Sequence, residues 1–311
     1  MTKILVTPRS FAKFNREEVD TLLGSHDIDI VNNPYGRILT EQEMVEAVRE
    51  VDGLIVGVDP VTKQVIDAAP HLKTIAKYGV GTDNIDVDYA HSLGIKVSIT
   101  ANANSNAVAD YTFALLLDVA RNVTHNNNRA KSGDWNKVTS LDVFGKKIGV
   151  IGLGAIGKGV VSRSKGFNME VYGYDLYEDE AYNQLHDIKF TDIDTIIREC
   201  DFITLHLPLT ESTKNLLNGE NLKNAKNSLI IVNTARGGLI DEDVIFDLLS
   251  TGKIYGLGID AFEIEPPESS PLLTLDNVVV GSHTAAGSED ATNTMTLMAV
   301  QNIIRDLEEN E

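Results

Sequence analysis

The sequence predicts an α/β protein of two doubly wound parallel-sheet lobes, and three observations carry that reading. Short apolar β-like runs alternate with helix-like segments from residue 3 to residue 99, a second alternation runs from 147 to 280, and a glycine-rich turn opens the second series in mid-chain. Alternation of this kind builds parallel sheets covered by helices on both faces. A chain of 311 residues also exceeds what one compact core usually holds, so two domains are expected.

In the first series the β-like runs are Lys3 to Thr7, Ile28 to Val31, Gly53 to Val58, Lys73 to Ala76 and Lys96 to Ile99. Helix-like segments lie at Glu17 to Leu23, Glu41 to Glu50 and Thr62 to Ala68. The segment Asn106 to Lys131 keeps apolar residues at 107, 111, 114, 115, 117 and 119 in helical register and reads as one connecting helix. The second series has strands at Lys147 to Ile151, Glu170 to Tyr174, Phe202 to Leu207, Leu229 to Asn233, Gly256 to Ile259 and Val278 to Val280. Asn293 to Leu307 is an amphipathic helix suited to return to the first domain. The second domain is thus read as an insertion, residues 101–284, within a first domain made of 1–100 and 285–311.

The strand Lys147 to Ile151 runs directly into Gly152-Leu153-Gly154-Ala155-Ile156-Gly157, a G-x-G-x-x-G turn. Gly152 permits the tight turn, Gly154 lets the backbone approach a pyrophosphate, and Gly157 lets the next helix pack closely on the sheet. That helix's N-terminal amides attract phosphate charge. The following strand ends in Asp175, 23 residues after Gly152 and close to the roughly 20 expected of an acid that binds the adenosine ribose. Its charge would repel a 2′-phosphate, and Leu176, Tyr177 and Glu178 bring no cation to offset it. The expected cofactor is NAD rather than NADP.

A net charge of −19 argues against nucleic acid and anionic lipid as partners, and an anionic substrate must be held by a few local cations. Cys200 is the single cysteine and reads as a small core residue. There is no visible signal peptide and no run near the roughly 18 apolar residues of a membrane span, so a cytoplasmic protein without membrane contact is expected. No metal site is expected.

Three ionisable residues follow strand ends in the second series, where open α/β sheets place their ligands. Arg236, in Asn233-Thr234-Ala235-Arg236-Gly237-Gly238, can clamp a carboxylate with its planar fork. His283, in Gly281-Ser282-His283-Thr284-Ala285, can take a hydroxyl proton as hydride leaves and return it in reverse. Glu265, in Glu263-Ile264-Glu265-Pro266, can bond the far imidazole nitrogen and stabilise its charged form. Singly, each is an ordinary loop residue; the case rests on the set.

With these motifs in place the sequence resembles the D-isomer-specific 2-hydroxyacid dehydrogenases, most closely the phosphoglycerate dehydrogenase-like branch. The resemblance is carried, in family order, by Tyr78-Gly79-Val80-Gly81-Thr82-Asp83-Asn84-Ile85-Asp86, Asn104-Ser105-Asn106-Ala107-Val108-Ala109-Asp110, the glycine-rich turn, Leu205-His206-Leu207-Pro208-Leu209-Thr210, Asn233 to Gly238, Gly258-Ile259-Asp260, Glu265-Pro266 and His283. It implies a Rossmann NAD-binding domain inserted into a flavodoxin-like substrate domain, with a cleft between them. It implies a homodimer formed through the cofactor domains, with the segment after Asn106 and Trp135 at the interface. By position, Arg236 holds the substrate carboxylate, His283 is the acid/base and Glu265 tunes it. Ala155, Ile156, Asp175, Leu207, Pro208, Thr213, Thr234, Ala235, Asp260 and Ala285 match cofactor contacts, with Asp260 on the nicotinamide side. Tyr78, Val80 and Gly81 match substrate contacts, the last two through backbone amides.

One departure bears on the substrate. Phosphoglycerate-oxidising members carry an arginine just after the third strand, where this chain has Val56-Gly57-Val58-Asp59-Pro60. An acid there is the wrong sign for a phosphate, although Lys77 could compensate. The chain ends at Glu311, so feedback control through the C-terminal domain of longer members is not expected. The expected reaction moves hydride between NAD and C2 of a small 2-hydroxy acid, 3-phosphoglycerate or a related 2-keto/2-hydroxy acid. The alternatives are a glyoxylate, hydroxypyruvate or other 2-keto acid reductase, and, in another class, a non-catalytic NAD-sensing binding protein.

Overall fold

The computed structural model describes residues 2–309 and divides into two compact units. The first takes in the chain up to Asn104 and resumes at Gly287; the second is Ser105–Ala286.

Strands β1 (Thr2–Val6), β2 (Ile28–Asn32), β3 (Gly53–Val56), β4 (Thr74–Lys77) and β5 (Lys96–Ile99) form the first sheet. Their order is β2-β1-β3-β4-β5, with every neighbouring pair parallel. All four residues of β3 and of β4 are buried, as expected for strands covered on both faces. One face packs on helices Glu41–Ala47 and Lys63–Asp67 through Leu54, Val56, Met44 and Val65. The other is closed by the helix Glu289–Glu308, whose Ala299, Val300, Ile303 and Ile304 meet Ile4, Val6, Ile55 and Ala76. Burying one such aliphatic side chain contributes about 2 kcal/mol relative to leaving it exposed. The tail helix therefore belongs to the first unit's core.

The second sheet holds β6 (Lys147–Ile151), β7 (Glu170–Tyr174), β8 (Lys189–Phe190), β9 (Phe202–Leu205), β10 (Ile230–Asn233), β11 (Gly256–Ile259) and β12 (Val278–Val280). The order β12-β11-β10-β9-β6-β7-β8 is all parallel and reverses direction between β6 and β9. That reversal is the switch point at which doubly wound sheets bind ligands beyond their carboxyl ends. Both lobes are thus the doubly wound parallel sheets that the alternation predicts.

Two of the differences from the sequence reading lie in the second unit. The connecting segment is two helices, Ser105–Arg121 and Val123–Lys131, because Asn122 adopts a left-handed backbone with φ of 53°. Asp118 secures the break by accepting hydrogen bonds from the Thr124 amide and hydroxyl at 2.7 and 2.5 Å. The edge strand β8 is additional to the strands expected; with two residues it has no periodicity to read.

Candidate active site

The glycine-rich turn sits at the switch point of the second sheet. Gly152 has φ of +99°, and a Cβ there would lie 2.7 Å from the His206 carbonyl carbon and oxygen; one on Gly157 would lie 1.9 Å from the Gly152 oxygen. Gly154, by contrast, faces open space within 4 Å. That is the position at which a pyrophosphate needs room.

The helix that follows, Ala155–Ser164, begins at Gly154 with no side-chain cap. Helices Glu41–Ala47, Ile193–Glu199, Glu242–Ser250 and Glu289–Glu308 instead have first-turn amides satisfied by Thr40, Asp192, Asp241 and Ser288. An uncapped start leaves donors and the positive end of the dipole for an anion. Asp175, at the end of β7, has Oδ2 2.7 Å from the Leu153 amide, which fixes its carboxylate beside the turn. These residues fit a dinucleotide.

The turn after β10 is folded by Asn233: its side chain accepts from the Ala235 amide at 3.1 Å and donates to the Arg236 carbonyl at 2.8 Å. Arg236 is half-buried, and its Nη1 donates to the Ala235 carbonyl at 2.8 Å. Gly237 passes so close to the neighbouring loop that a Cβ would lie 2.0 Å from the Phe262 carbonyl carbon. This close passage ties the arginine turn to the loop that carries Glu265.

After β12, His283 takes a left-handed backbone with φ of 54°. Histidine is among the side chains that tolerate this region, and such strain collects at functional sites. The conformation is held by Asp260, which is 2% exposed. Its backbone carbonyl accepts from the His283 amide at 2.9 Å, and its carboxylate accepts from the Thr284 and Ala285 amides at 3.0 and 2.8 Å. Burial pushes the Asp260 carboxyl up, against those two amides and the His283 charge.

Nδ1 of His283 lies 3.0 and 2.8 Å from the two Glu265 oxygens, and Glu265 Oε1 also accepts from the Phe262 amide at 3.0 Å. Burial raises the Glu265 carboxyl, but the hydrogen bond and charge of His283, the Phe262 amide and the Arg236 charge outweigh it, so the group is held below its usual range. A carboxylate on Nδ1 fixes that proton there and leaves Nε2 to accept or donate one elsewhere. The imidazole side chain is 42% exposed, so a reactant can reach it.

The profile of the D-isomer specific 2-hydroxyacid dehydrogenase NAD binding domain matches residues 113–285. The chain belongs to the D-isomer-specific 2-hydroxyacid dehydrogenase family. It is 39% identical over 295 residues to D-3-phosphoglycerate dehydrogenase of Methanocaldococcus jannaschii, covering 94% of this chain but 55% of that relative. Hydroxypyruvate reductase of Thermotoga maritima is 36% identical over 299 residues, covering 94% and 95% of the two chains. The crystal structure of the TT0316 protein from Thermus thermophilus superposes with a TM-score of 0.90 at 32% identity, covering 99% and 97%. The chain is accordingly an NAD-dependent oxidoreductase acting on CH–OH groups.

Ala155 and Ile156 open the uncapped helix, and the Ala285 amide is taken by Asp260. Leu207 is buried against the turn, Pro208 is exposed, and the buried Thr213 hydroxyl closes its own loop on the Pro208 carbonyl at 2.7 Å. Thr234 exchanges a 2.8 Å hydrogen bond with Thr112, and the Ala235 amide is held by Asn233.

In the first unit, the Tyr78 phenol is committed to the Thr292 carbonyl and the Thr296 hydroxyl at 3.0 and 3.1 Å. The Val80 and Gly81 amides have no hydrogen-bond partner among the described residues. Tyr111 carries no signal in the sequence beyond its place in a helix register. Its phenol lies 2.8 Å from where a Gly281 Cβ would be, beside Asp260. His206 stands within a family motif; burial pushes its imidazole down to about 3, so it stays neutral. Among the described residues no group of three or more His, Cys, Asp or Glu could hold a metal, and no helix is long and apolar enough to cross a membrane.

Proposed function

We propose that the dehydrogenase interconverts a small, unphosphorylated 2-hydroxy acid and its 2-oxo acid, with hydroxypyruvate and glyoxylate as the leading oxidised substrates. The observation that carries the chemistry is the Glu265–His283 pair on a turn fixed by Asp260, with the Arg236 charge acting on the same carboxylate. NAD, held by the 152–157 turn and Asp175, supplies the hydride acceptor or donor at its nicotinamide ring. Arg236 binds the substrate carboxylate and offsets charge developing on the C2 oxygen. His283 moves the C2 hydroxyl proton at Nε2, and Glu265 holds the charged imidazole.

The substrate class is supported by Asp59, which follows β3 and is 3% exposed. Its carboxylate is turned inward, accepting from the Thr7 hydroxyl at 2.5 Å and the Leu39 amide at 2.8 Å, so residues 56–60 offer a phosphate no cation. Oxidation of 3-phosphoglycerate is the second reading, favoured by the 39% identity to the Methanocaldococcus jannaschii enzyme.

The test is NADH consumption across 2-keto acids with and without a phosphate group, together with NAD reduction on 3-phosphoglycerate. Turnover of hydroxypyruvate or glyoxylate with none on the phosphorylated pair is the expected outcome; the reverse preference overturns the substrate assignment. We further propose a cytoplasmic homodimer. Trp135, Phe144 and Val123 support a partner, being 83%, 66% and 56% exposed. Light scattering on the purified protein checks it.

A further inference from the structure

Lys77 ends β4 and is 5% exposed, which is rare for a lysine because an ammonium is costly to take out of water without donors being satisfied. Its Nζ donates to the Gly57 carbonyl at 2.5 Å and to Asn84 Oδ1 at 2.7 Å. Asn84 in turn donates to the Gly57 and Asp59 carbonyls at 3.2 and 2.5 Å. Two loops at the carboxyl edge of the first sheet, residues 57–60 after β3 and 78–86 after β4, are thereby tied together. Thr7 joins the edge of β1 to the same network, accepting from the Gly57 amide at 3.2 Å while donating to Asp59.

The span between Lys77 and Asn84 is anchored at its start as well. Tyr78 is fixed on the helix Glu289–Glu308, and Gly79 is held on both sides by Thr100: the Gly79 amide donates to Thr100 Oγ1 at 2.8 Å and the Gly79 carbonyl accepts from the Thr100 amide at 3.0 Å. Between these anchors stand the Val80 and Gly81 amides, unpartnered among the described residues, with Val80 45% exposed. A rigid loop with spare amides is what recognition of a carboxylate requires. The ammonium lies beneath it, Cε 3.8 Å from where a Cβ on Gly79 would be. In a chain of net charge −19, a fixed cation under such a loop also offsets the repulsion that an anionic substrate meets.

We propose that Lys77 is a positioning residue for substrate binding: its buried ammonium, through Gly57 and Asn84, holds the Val80–Gly81 amides in place for the substrate carboxylate. This inference rests on the reading of the reaction given above. Because the carboxylate is bound before and during hydride transfer, loss of Lys77 acts on KM and leaves kcat nearly intact. A purely structural lysine would instead change stability and the yield of active enzyme without moving KM.

The experiment compares wild type, Lys77→Met, Lys77→Arg and Asn84→Ala, all loaded with NADH. It measures oxamate binding by calorimetry, the KM and kcat for hydroxypyruvate, and NADH affinity. Lys77→Met and Asn84→Ala are expected to weaken oxamate about tenfold and to raise KM in parallel, with kcat and NADH affinity within about threefold. Lys77→Arg, which keeps the charge and the donors, restores most of the loss. Should Lys77→Met fail to fold, Asn84→Ala and Lys77→Arg still decide. Oxamate affinity unchanged in Lys77→Met, or in Asn84→Ala when Lys77→Met is lost, overturns the assignment. A wild type that binds oxamate through Lys77 but reduces no keto acid overturns the reaction reading alone, and one that binds no oxamate overturns both.

Discussion

Nδ1 of His283 sits 2.8 Å from Glu265 Oε2, and the histidine that makes this contact is held in a left-handed backbone by a third residue, Asp260. For the proton transfer proposed above, the imidazole needs a fixed tautomer and a fixed direction; Glu265 serves the first, and Asp260, through its carbonyl and carboxylate, the second. His283→Ala is expected to lower kcat by about three orders of magnitude, within the range general acid/base groups supply, with NADH affinity unchanged. Stopped-flow turnover and fluorescence titration of NADH check the two halves.

The Glu265 carboxyl is held below its usual range, net of a burial effect that acts the other way. A depressed carboxyl contributes stability that is fully present above its unfolded pKa and is lost as pH falls through the folded value. Wild type should therefore be more stable than Glu265→Gln near neutrality, and the gap should close as pH falls through and below the usual carboxylate range. Urea unfolding of both proteins at several pH values measures it; a gap that widens with acid contradicts the pairing.

Asp175 is placed by the Leu153 amide so that its charge lies beside the glycine-rich turn. Asp175→Asn keeps an acceptor for that amide and removes only the charge. The ratio of NADPH to NADH in kcat/KM should rise about tenfold or more, since a like-charge clash costs at least a kcal/mol or so. An unchanged ratio would show that other residues set the preference.

Gly281 has no room for a side chain: a Cβ would lie 2.0 Å from Asp260 Oδ1 and 2.8 Å from the Tyr111 phenol oxygen. Gly281→Ala must displace the carboxylate from the Thr284 and Ala285 amides. A stability loss of about 1–3 kcal/mol is expected from overpacking, with a larger fall in turnover as His283 loses its backbone support. Denaturant unfolding and kinetics on the same preparation separate the two effects.

Cys200 is fully buried at the end of the helix Ile193–Glu199, and burial pushes its thiol up to about 12. The native protein should show no thiol reactive to a disulfide reagent at pH 8, and one per chain in denaturant.

The sheets were legible because parallel strands covered on both faces leave continuous apolar runs, such as Phe202–Leu205 and Ile230–Asn233. Arg236, Glu265 and His283 stand out as candidates because they lie beyond the ends of such runs. What escaped depends on partners far along the chain. The hold of Asp260 on residues 283–285 and the commitment of the Tyr78 phenol to Thr292 have no local pattern, since the partners lie more than twenty and more than two hundred residues away. Asn122 escaped for another reason: no glycine or proline interrupts residues 106–131, and only its tolerance of positive φ marks the break.

The helix Glu289–Glu308 has a consequence for the order in which the polypeptide matures on the ribosome. The strands β1 to β5 are made first, yet Thr74 waits for the Asp306 carboxylate at 3.0 Å, and Ile4 and Ile55 wait for Ile303. Ser105–Ala286 is contiguous and can close its own interior as it emerges. The later-made unit is therefore expected to reach its native state before the earlier one, and nascent chains halted before Gly287 should protect β6 to β12 from protease while β1 to β5 stay open to cleavage.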